Sequence, residues 1–295
     1  MKFGIVTDTS ANLPLRLIEN HDVTVLPFTF RYDDVEHSCM DIEGFDGHGY
    51  YDMIRAGKEV NTSQVNPQTY IDGMEAFLKE GRDVVYVSMS AGISGSYNSS
   101  CVAAAQLREE YPDRTIVTIN TRAASFGEGI VVMKAIELSE SGVSASEAEK
   151  ILEDLSERVY QVFTVDSLMH LKRTGRCSNI AAFVGSLLNI KPMLKGNENG
   201  QIVVFDKVRG RKKSINAIAE EYDRLVVDAA SQVVYIAHSD CLSEANELAE
   251  LLKKNNPPAS VEVVMYEPVT GSHVGPGALA LFFVASKGDR NKLCK

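Results

Sequence analysis

Short runs of β-branched and aliphatic residues alternate with helix-length segments along most of this chain, and that alternation limits its fold most sharply. Lys2 to Thr7, Val23 to Phe28, Asp83 to Ser88 (DVVYVS) and Thr115 to Ile119 read as strands. Helical spacing follows the first strand through Ile18, covers Tyr70 to Leu78 after Asn66 and Pro67, and returns over Ser96 to Tyr111 and Ala124 to Ser139. A further helix, Ser144 to Arg158, opens with Ser144 and Glu147 at the spacing of a capping box. Strands joined through helices pair in parallel, because the crossover needs a dozen or more residues. The aperiodic polar segment Tyr32 to Gly49 reads as a loop or lid, and Asn61 to Gln64 as the loop feeding a helix.

From Tyr160 the alternation becomes irregular. A strand (YQVFTV) leads into a basic turn (LKRTGR), an apolar helix Ile180 to Ile190 and a strand Gln201 to Val208. Helix Ser214 to Asp228, strand Gln232 to Ala237, helix Leu242 to Lys254 and strand Val261 to Pro268 follow, closed by the Gly-rich segment Gly271 to Gly277. The last residues, Lys287 to Lys295, are charged and expected to fray. The 295 residues are enough for two cores. The expectation is an α/β fold of two domains, 1–158 with a mainly parallel sheet and 159–295 a smaller mixed-sheet unit.

Charge and cysteine usage remove several function classes. With 40 acidic against 30 basic residues, the net charge of -10 has the wrong sign for wrapping nucleic acid. No apolar run reaches the length of a membrane span, so no stable membrane insertion is expected, and Asp8 interrupts the N-terminus where a signal peptide stays apolar. A cytoplasmic protein is the reading. The five cysteines show neither CxxC nor zinc-ligand spacing, so no metal site is expected.

Four polar segments lie at strand ends or helix starts, where open α/β sheets place ligands: Asp8-Thr9-Ser10, Thr62-Ser63-Gln64, Ser88 to Ser96, and Gly271 to Gly277. The third packs four serines and two glycines between a strand and a helix, so hydroxyls and backbone N–H groups can meet a carboxylate or phosphate there. It reads equally well as a capped helix start. His273 is set among Gly271, Gly275 and Gly277, which permit close backbone approach. The basic stretches at Lys172-Arg173-Thr174-Gly175-Arg176 and Lys207 to Lys213 are either solvated faces or a docking patch. The apolar stretch Ile180 to Ile190 suits an acyl-chain wall and a core helix alike.

A serine hydrolase or acyltransferase using Ser94 and His273 is the rival reading. Its elbow is misspelt: Gly92-Ile93-Ser94 is followed by Ser96 where G-x-S-x-G requires glycine, and the order Asp, Ser, His matches no familiar triad. Nucleotide-binding glycine motifs are absent.

Six motifs in register, Val6-Thr7-Asp8-Thr9-Ser10, Thr62-Ser63-Gln64, Ile93-Ser94-Gly95-Ser96-Tyr97, Leu171 to Arg176, Lys207-Val208-Arg209-Gly210 and His273-Val274-Gly275-Pro276-Gly277, resemble the DegV family over nearly the whole chain. These are bacterial fatty-acid-binding proteins that serve a fatty acid kinase. The resemblance implies a long-chain fatty acid buried between two α/β domains, its carboxylate held at Thr62, Ser94 and Gly95 with His273 nearby, and Asp8, Ser63, Ser96 and Gly275 in support. It also implies a non-enzymatic carrier without cofactor that presents the carboxylate to an ATP-dependent kinase, met through Arg173, Arg176 and Arg209. Ser96 and Thr174 depart from the family's frequent threonine and glycine.

Overall fold

The computed structural model of the chain describes residues 2–40, 45–179 and 189–291. Two units emerge, Met1–Ile42 with Asn61–Glu157, and Glu43–Val60 with Arg158–Lys295. The boundary near residue 158 is therefore accompanied by a second exchange: residues 43–60 belong to the second unit, not to a continuous first domain. The cause is packing against residues far along the chain, described below.

In chain order the first unit begins with β1 (Gly4–Asp8), a single helical turn α1 (Leu15–Ile18), β2 (Val23–Leu26), β3 (Thr29–Tyr32) and β4 (Val35–Ser38). The chain then supplies α2 (Gly47–Arg55) to the second unit and returns with β5 (Asn61–Ser63), α3 (Pro67–Lys79), β6 (Val84–Ser88), α4 (Ser96–Glu110), β7 (Ile116–Asn120), α5 (Phe126–Glu140) and α6 (Ala145–Arg158). Strands pair in the order β2-β1-β6-β7, parallel throughout. β1 and β6 are buried along their whole length, which explains their near-continuous apolar runs. Asn66 caps α3 by accepting from Gln68 N at 2.9 Å. The Ser144–Glu147 box closes at α6, with reciprocal bonds of 3.3 Å between each backbone N–H and the other's side chain.

The segment read as a loop or lid is partly regular. β3 and β4 form an antiparallel pair, and β5, read as a loop, adds to β3 on its other side.

The second unit continues with β8 (Val159–Thr164), α7 (Leu168–Thr174), β9 (Ile190–Gly196), β10 (Ile202–Arg209), α8 (Arg211–Leu225), β11 (Val233–His238), α9 (Leu242–Leu252), β12 (Ser260–Met265), α10 (Pro268–Val274) and β13 (Leu279–Val284). Its mixed sheet has six strands in the order β10-β9-β8-β13-β11-β12. Among the named strands of the described residues, β11 and β12 pair in parallel and the other pairs are antiparallel. Leu279, Leu281 and Phe283 of β13 pack with Tyr160, Tyr222 and Leu248 in one core. The basic turn is the helix α7, ended by Gly175 at φ 74°, and most of the Gly-rich segment is the helix α10. Residues 180–188 of the expected apolar helix lie outside the described residues, and Ile190 opens a strand.

α2 is joined to the rest of this unit by tyrosine hydroxyls. Tyr50 donates to Pro268 O at 2.8 Å and Tyr51 to Tyr266 O at 2.9 Å. Arg55 adds an ion pair of 2.5 Å to Asp240.

Candidate functional site

In the first unit two polar segments converge. β5 sets Thr62 opposite Phe30 and Ser63 opposite Thr29, so Thr62 is fixed by a sheet ladder. After β6 the chain folds back on Ser90: Ser94 N and Ile93 N reach Ser90 O at 3.2 and 3.3 Å, and Gly92 N reaches Ser90 Oγ at 3.0 Å. Gly95, the residue before α4, has no side chain to cap it. Ser94 Oγ substitutes, accepting from Ser96 N at 3.2 Å and lying 2.9 Å from Ser96 Oγ.

Gln64 ties the segments together. Its Nε2 donates to Ser99 Oγ at 3.1 Å, while its Oε1 lies 2.8 Å from where a Cβ on Gly95 would stand. Glycine at 95 is what lets Gln64 approach so closely. Thr62 and Ser94 are partly buried, Ser63 is exposed and Ser96 is fully buried.

Beneath Ser96 lies a buried polar chain that the sequence motifs did not reveal. Tyr70 of α3 and Tyr86 of β6 pack edge to face with ring centroids 5.4 Å apart. The Tyr70 hydroxyl has Ser96 and Tyr86 as neighbours but no partner at full hydrogen-bond geometry, and burial, then the charge of Asp8, holds its phenol far above the ordinary range. Tyr86 donates to Asp8 Oδ2 at 2.7 Å. Asp8 also accepts from Ser10 N at 3.0 Å and meets the Ser10 hydroxyl. Burial pushes its carboxyl up to about 6 against the opposing pull of the Ser10 and Tyr86 bonds. Ser10 Oγ lies 2.6 Å from Glu128 Oε2, and Thr7 Oγ1 lies 3.1 Å from Glu128 Oε1. One signal for this chain was available: Glu128 is the lone charge in the otherwise apolar stretch FGEGIVVM.

The second unit places His273 in the last turn of α10, whose start is capped by Glu267. α7 packs alongside: Thr174 Oγ1 donates to His273 O at 3.0 Å, and His170 Nε2 lies 2.6 Å from Ser272 O. A carbonyl only accepts, so His170 carries its proton on Nε2, leaving Nδ1 to accept from Arg173 at 3.3 Å. Gly275 has φ 81°, and a Cβ there would stand 2.7 Å from the His170 ring, so no other residue fits without strain. Burial first, then the charges of Arg176 and His170, lowers the His273 imidazole to about 4, so it is neutral at pH 7. Arg173, Arg176 and Arg209 are exposed, the first 3.5 Å from Glu59 and the last ending β10.

Chemically, the described residues of the first-unit site offer hydroxyls and amides around Ser94. Among the described residues of that unit, Ser94 Oγ is hydrogen-bonded only to the Ser96 hydroxyl and N–H, whereas a nucleophilic serine needs a base within hydrogen-bond reach. In the second unit His48, Asp52 and Asp240 bring three possible metal ligands within 4.8 Å of one another. Arg55 pairs with both of those carboxylates, at 2.7 and 2.5 Å, and supplies the positive charge itself. No helix among the described residues is long and apolar enough to cross a membrane.

The comparisons agree on one family. The model for the DegV family of uncharacterised proteins matches residues 2–286. A DegV domain-containing protein of Clostridium perfringens is 38% identical over 287 residues, covering 96% of this chain and 97% of that one. Among solved structures, a fatty acid binding DegV family protein from Streptococcus agalactiae is 33% identical with a TM-score of 0.85, covering 97% of this chain and 99% of that one. A DegV family protein from Thermus thermophilus, solved for its fatty acid binding, is 29% identical with a TM-score of 0.87, covering 97% and 100%. From its β1 motif to the glycines after α10, this chain belongs to the DegV family.

Proposed function

We propose that the protein is a carrier that binds a long-chain fatty acid, with the carboxylate accepting hydrogen bonds from the hydroxyls of Thr62 and Ser94. Gly95 and Ser96 shape the start of α4 around the head group, with Ser63 beside it. The observation that carries this reading is the Gln64 tie, which holds two hydroxyl-bearing segments at the N-terminal end of a 15-residue helix. Neutral donors and the positive end of a helix suit an anion without requiring a paired cation. The fatty acid binding named for the Streptococcus and Thermus relatives supports the ligand class.

The energetics divide the work between tail and head. A palmitoyl-length chain has about 14 methylenes at roughly 0.8 kcal/mol each, on the order of 11 kcal/mol before the costs of association. Hydrogen bonds to a carboxylate add about 1.5 to 3 kcal/mol each. The tail therefore sets affinity and the head sets orientation. In this reading the protein performs no chemistry, needs no cofactor and works in the cytoplasm. It presents the carboxylate to a separate ATP-dependent fatty acid kinase, which docks on the exposed Arg173, Arg176 and Arg209.

Mass spectrometry of an organic extract from the purified protein tests the carrier. A stoichiometric long-chain fatty acid in the wild type, reduced in the Thr62→Ala, Ser94→Ala double variant, is expected. A wild type that is empty and takes up no added palmitate sinks the reading. The docking role is tested with Arg176→Ala, Arg209→Ala, which should retain lipid yet lose acyl-phosphate formation when a DegV-dependent kinase and ATP are supplied.

A further inference from the structure

The Ser10 hydroxyl has one proton and two acid neighbours. Its Oγ contacts Asp8 Oδ1 and lies 2.6 Å from Glu128 Oε2, and both acids are fully buried. A hydroxyl can donate to only one of them, and the other contact is favourable only if that carboxyl donates in turn. Thr7 repeats the arithmetic. Its hydroxyl lies 3.1 Å from Val87 O, which can only accept, and 3.1 Å from Glu128 Oε1.

We propose that Asp8 and Glu128 share a proton through Ser10, and that this protonated pair keeps the ground beneath the Ser94–Ser96 loop close enough to neutral to admit an anionic head group. The pair holds at least one proton, in the arrangement Glu128 to Ser10 to Asp8. Groups facing it include Tyr86 on β6, Tyr70 on α3, Thr7 on β1 and Ser10 on the turn after β1. The titratable groups acting on Asp8, Tyr70 and Tyr86 are one another and Glu128, with no cation among them. Two negative charges buried side by side repel one another, which favours a proton on one of them. The route from the pair to the hydroxyls is short: Asp8 to Tyr86, Tyr86 beside Tyr70, Tyr70 beside Ser96, and Ser96 to Ser94.

The effect on the ligand rests on the fatty acid reading, whereas the shared proton does not, and the experiment separates them. Infrared spectra of the delipidated full chain at pH 7 should contain a protonated-carboxyl C=O band that shifts in deuterium oxide. It should be lost in Glu128→Gln and in Asp8→Asn, either variant sufficing if the other does not fold. A wild type without that band overturns the proposal, whatever lipid it binds. Palmitate affinity is then compared between wild type and variant across pH, as a ratio in which the ligand's own titration cancels, with hexadecanol as the uncharged control. As the wild-type pair loses its proton, palmitate binding should weaken on the order of tenfold relative to the variant, with hexadecanol unchanged. A flat ratio overturns the head-group role. Failure of palmitate to bind at any pH overturns the carrier reading and leaves the infrared result to decide the proton.

Discussion

Single residues set the sharpest constraints in both units, and glycine 275 is the most exposed to test. Its φ of 81° and the His170 ring 2.7 Å from a notional Cβ make Gly275→Ala strained twice over. A loss of about 1 to 3 kcal/mol is expected, read as a lower urea midpoint at unchanged slope. Gly95→Ala differs, because residue 95 already has a helical backbone and the obstacle is the flexible end of Gln64. That variant should melt within a few degrees of wild type yet retain less fatty acid, since the Gln64–Ser99 tie is displaced. Thr62, Ser94 and His273 were legible as polar residues in glycine-rich or hydroxyl-rich settings. Tyr70 and Tyr86 were not, because a buried tyrosine in an apolar strand or helix looks like core until its hydroxyl's neighbours are known.

At the scale of elements, the capping box gives a clean prediction. Ser144→Ala removes the Oγ that accepts from Glu147 N, and should cost about 1 kcal/mol in thermal unfolding. The helices α3, α4 and α6 were readable to within a residue or two, because caps and the 3.6-residue period are local. The strands that were missed depend on distant partners. β5 is three polar residues with no pattern of its own, and only the ladder to β3 makes it a strand. β13 is six apolar residues buried within a sheet, in the stretch between the Gly-rich segment and the charged end that carries no alternation. α10 was hidden by its own glycines, which mark loops in sequence but here lie within and just after about two helical turns.

For the whole molecule, acid should act on the two units in opposite directions. Asp8 has a raised carboxyl, so its contribution to stability is complete below the unfolded value of 3.8 and is lost as pH rises through about 6. His273 is a base with a lowered value; the unfolded chain takes up its proton first, so stability falls as pH drops from 6.5 towards about 4. Each slope is at most about 1.4 kcal/mol per pH unit. Scanning calorimetry between pH 4 and 6 should therefore find the first unit's transition moving up on acidification and the second unit's moving down. Asp8→Asn should flatten the first trend only, and His273→Asn the second only. The division into two α/β units was evident from the change of pattern near Tyr160. That residues 43–60 cross over was not, because nothing local in that segment names the partners of Tyr50 and Tyr51.

That crossing has a consequence for how the protein is made. The partners of Tyr50 and Tyr51 lie 218 and 215 residues further along. At a ribosome's pace of about 5 to 20 residues per second, α2 emerges roughly 10 to 40 seconds before the carbonyls that receive it exist. During that interval the first unit can close on both sides of α2, holding it out as a loop with two tyrosines and Ile54 uncovered. The second unit is completed last, by capture of a segment that has been waiting since early in synthesis. A chain stopped anywhere before Tyr266 displays an apolar tyrosine face to the cell, and chaperone binding to such stalled chains should map to residues 47–55.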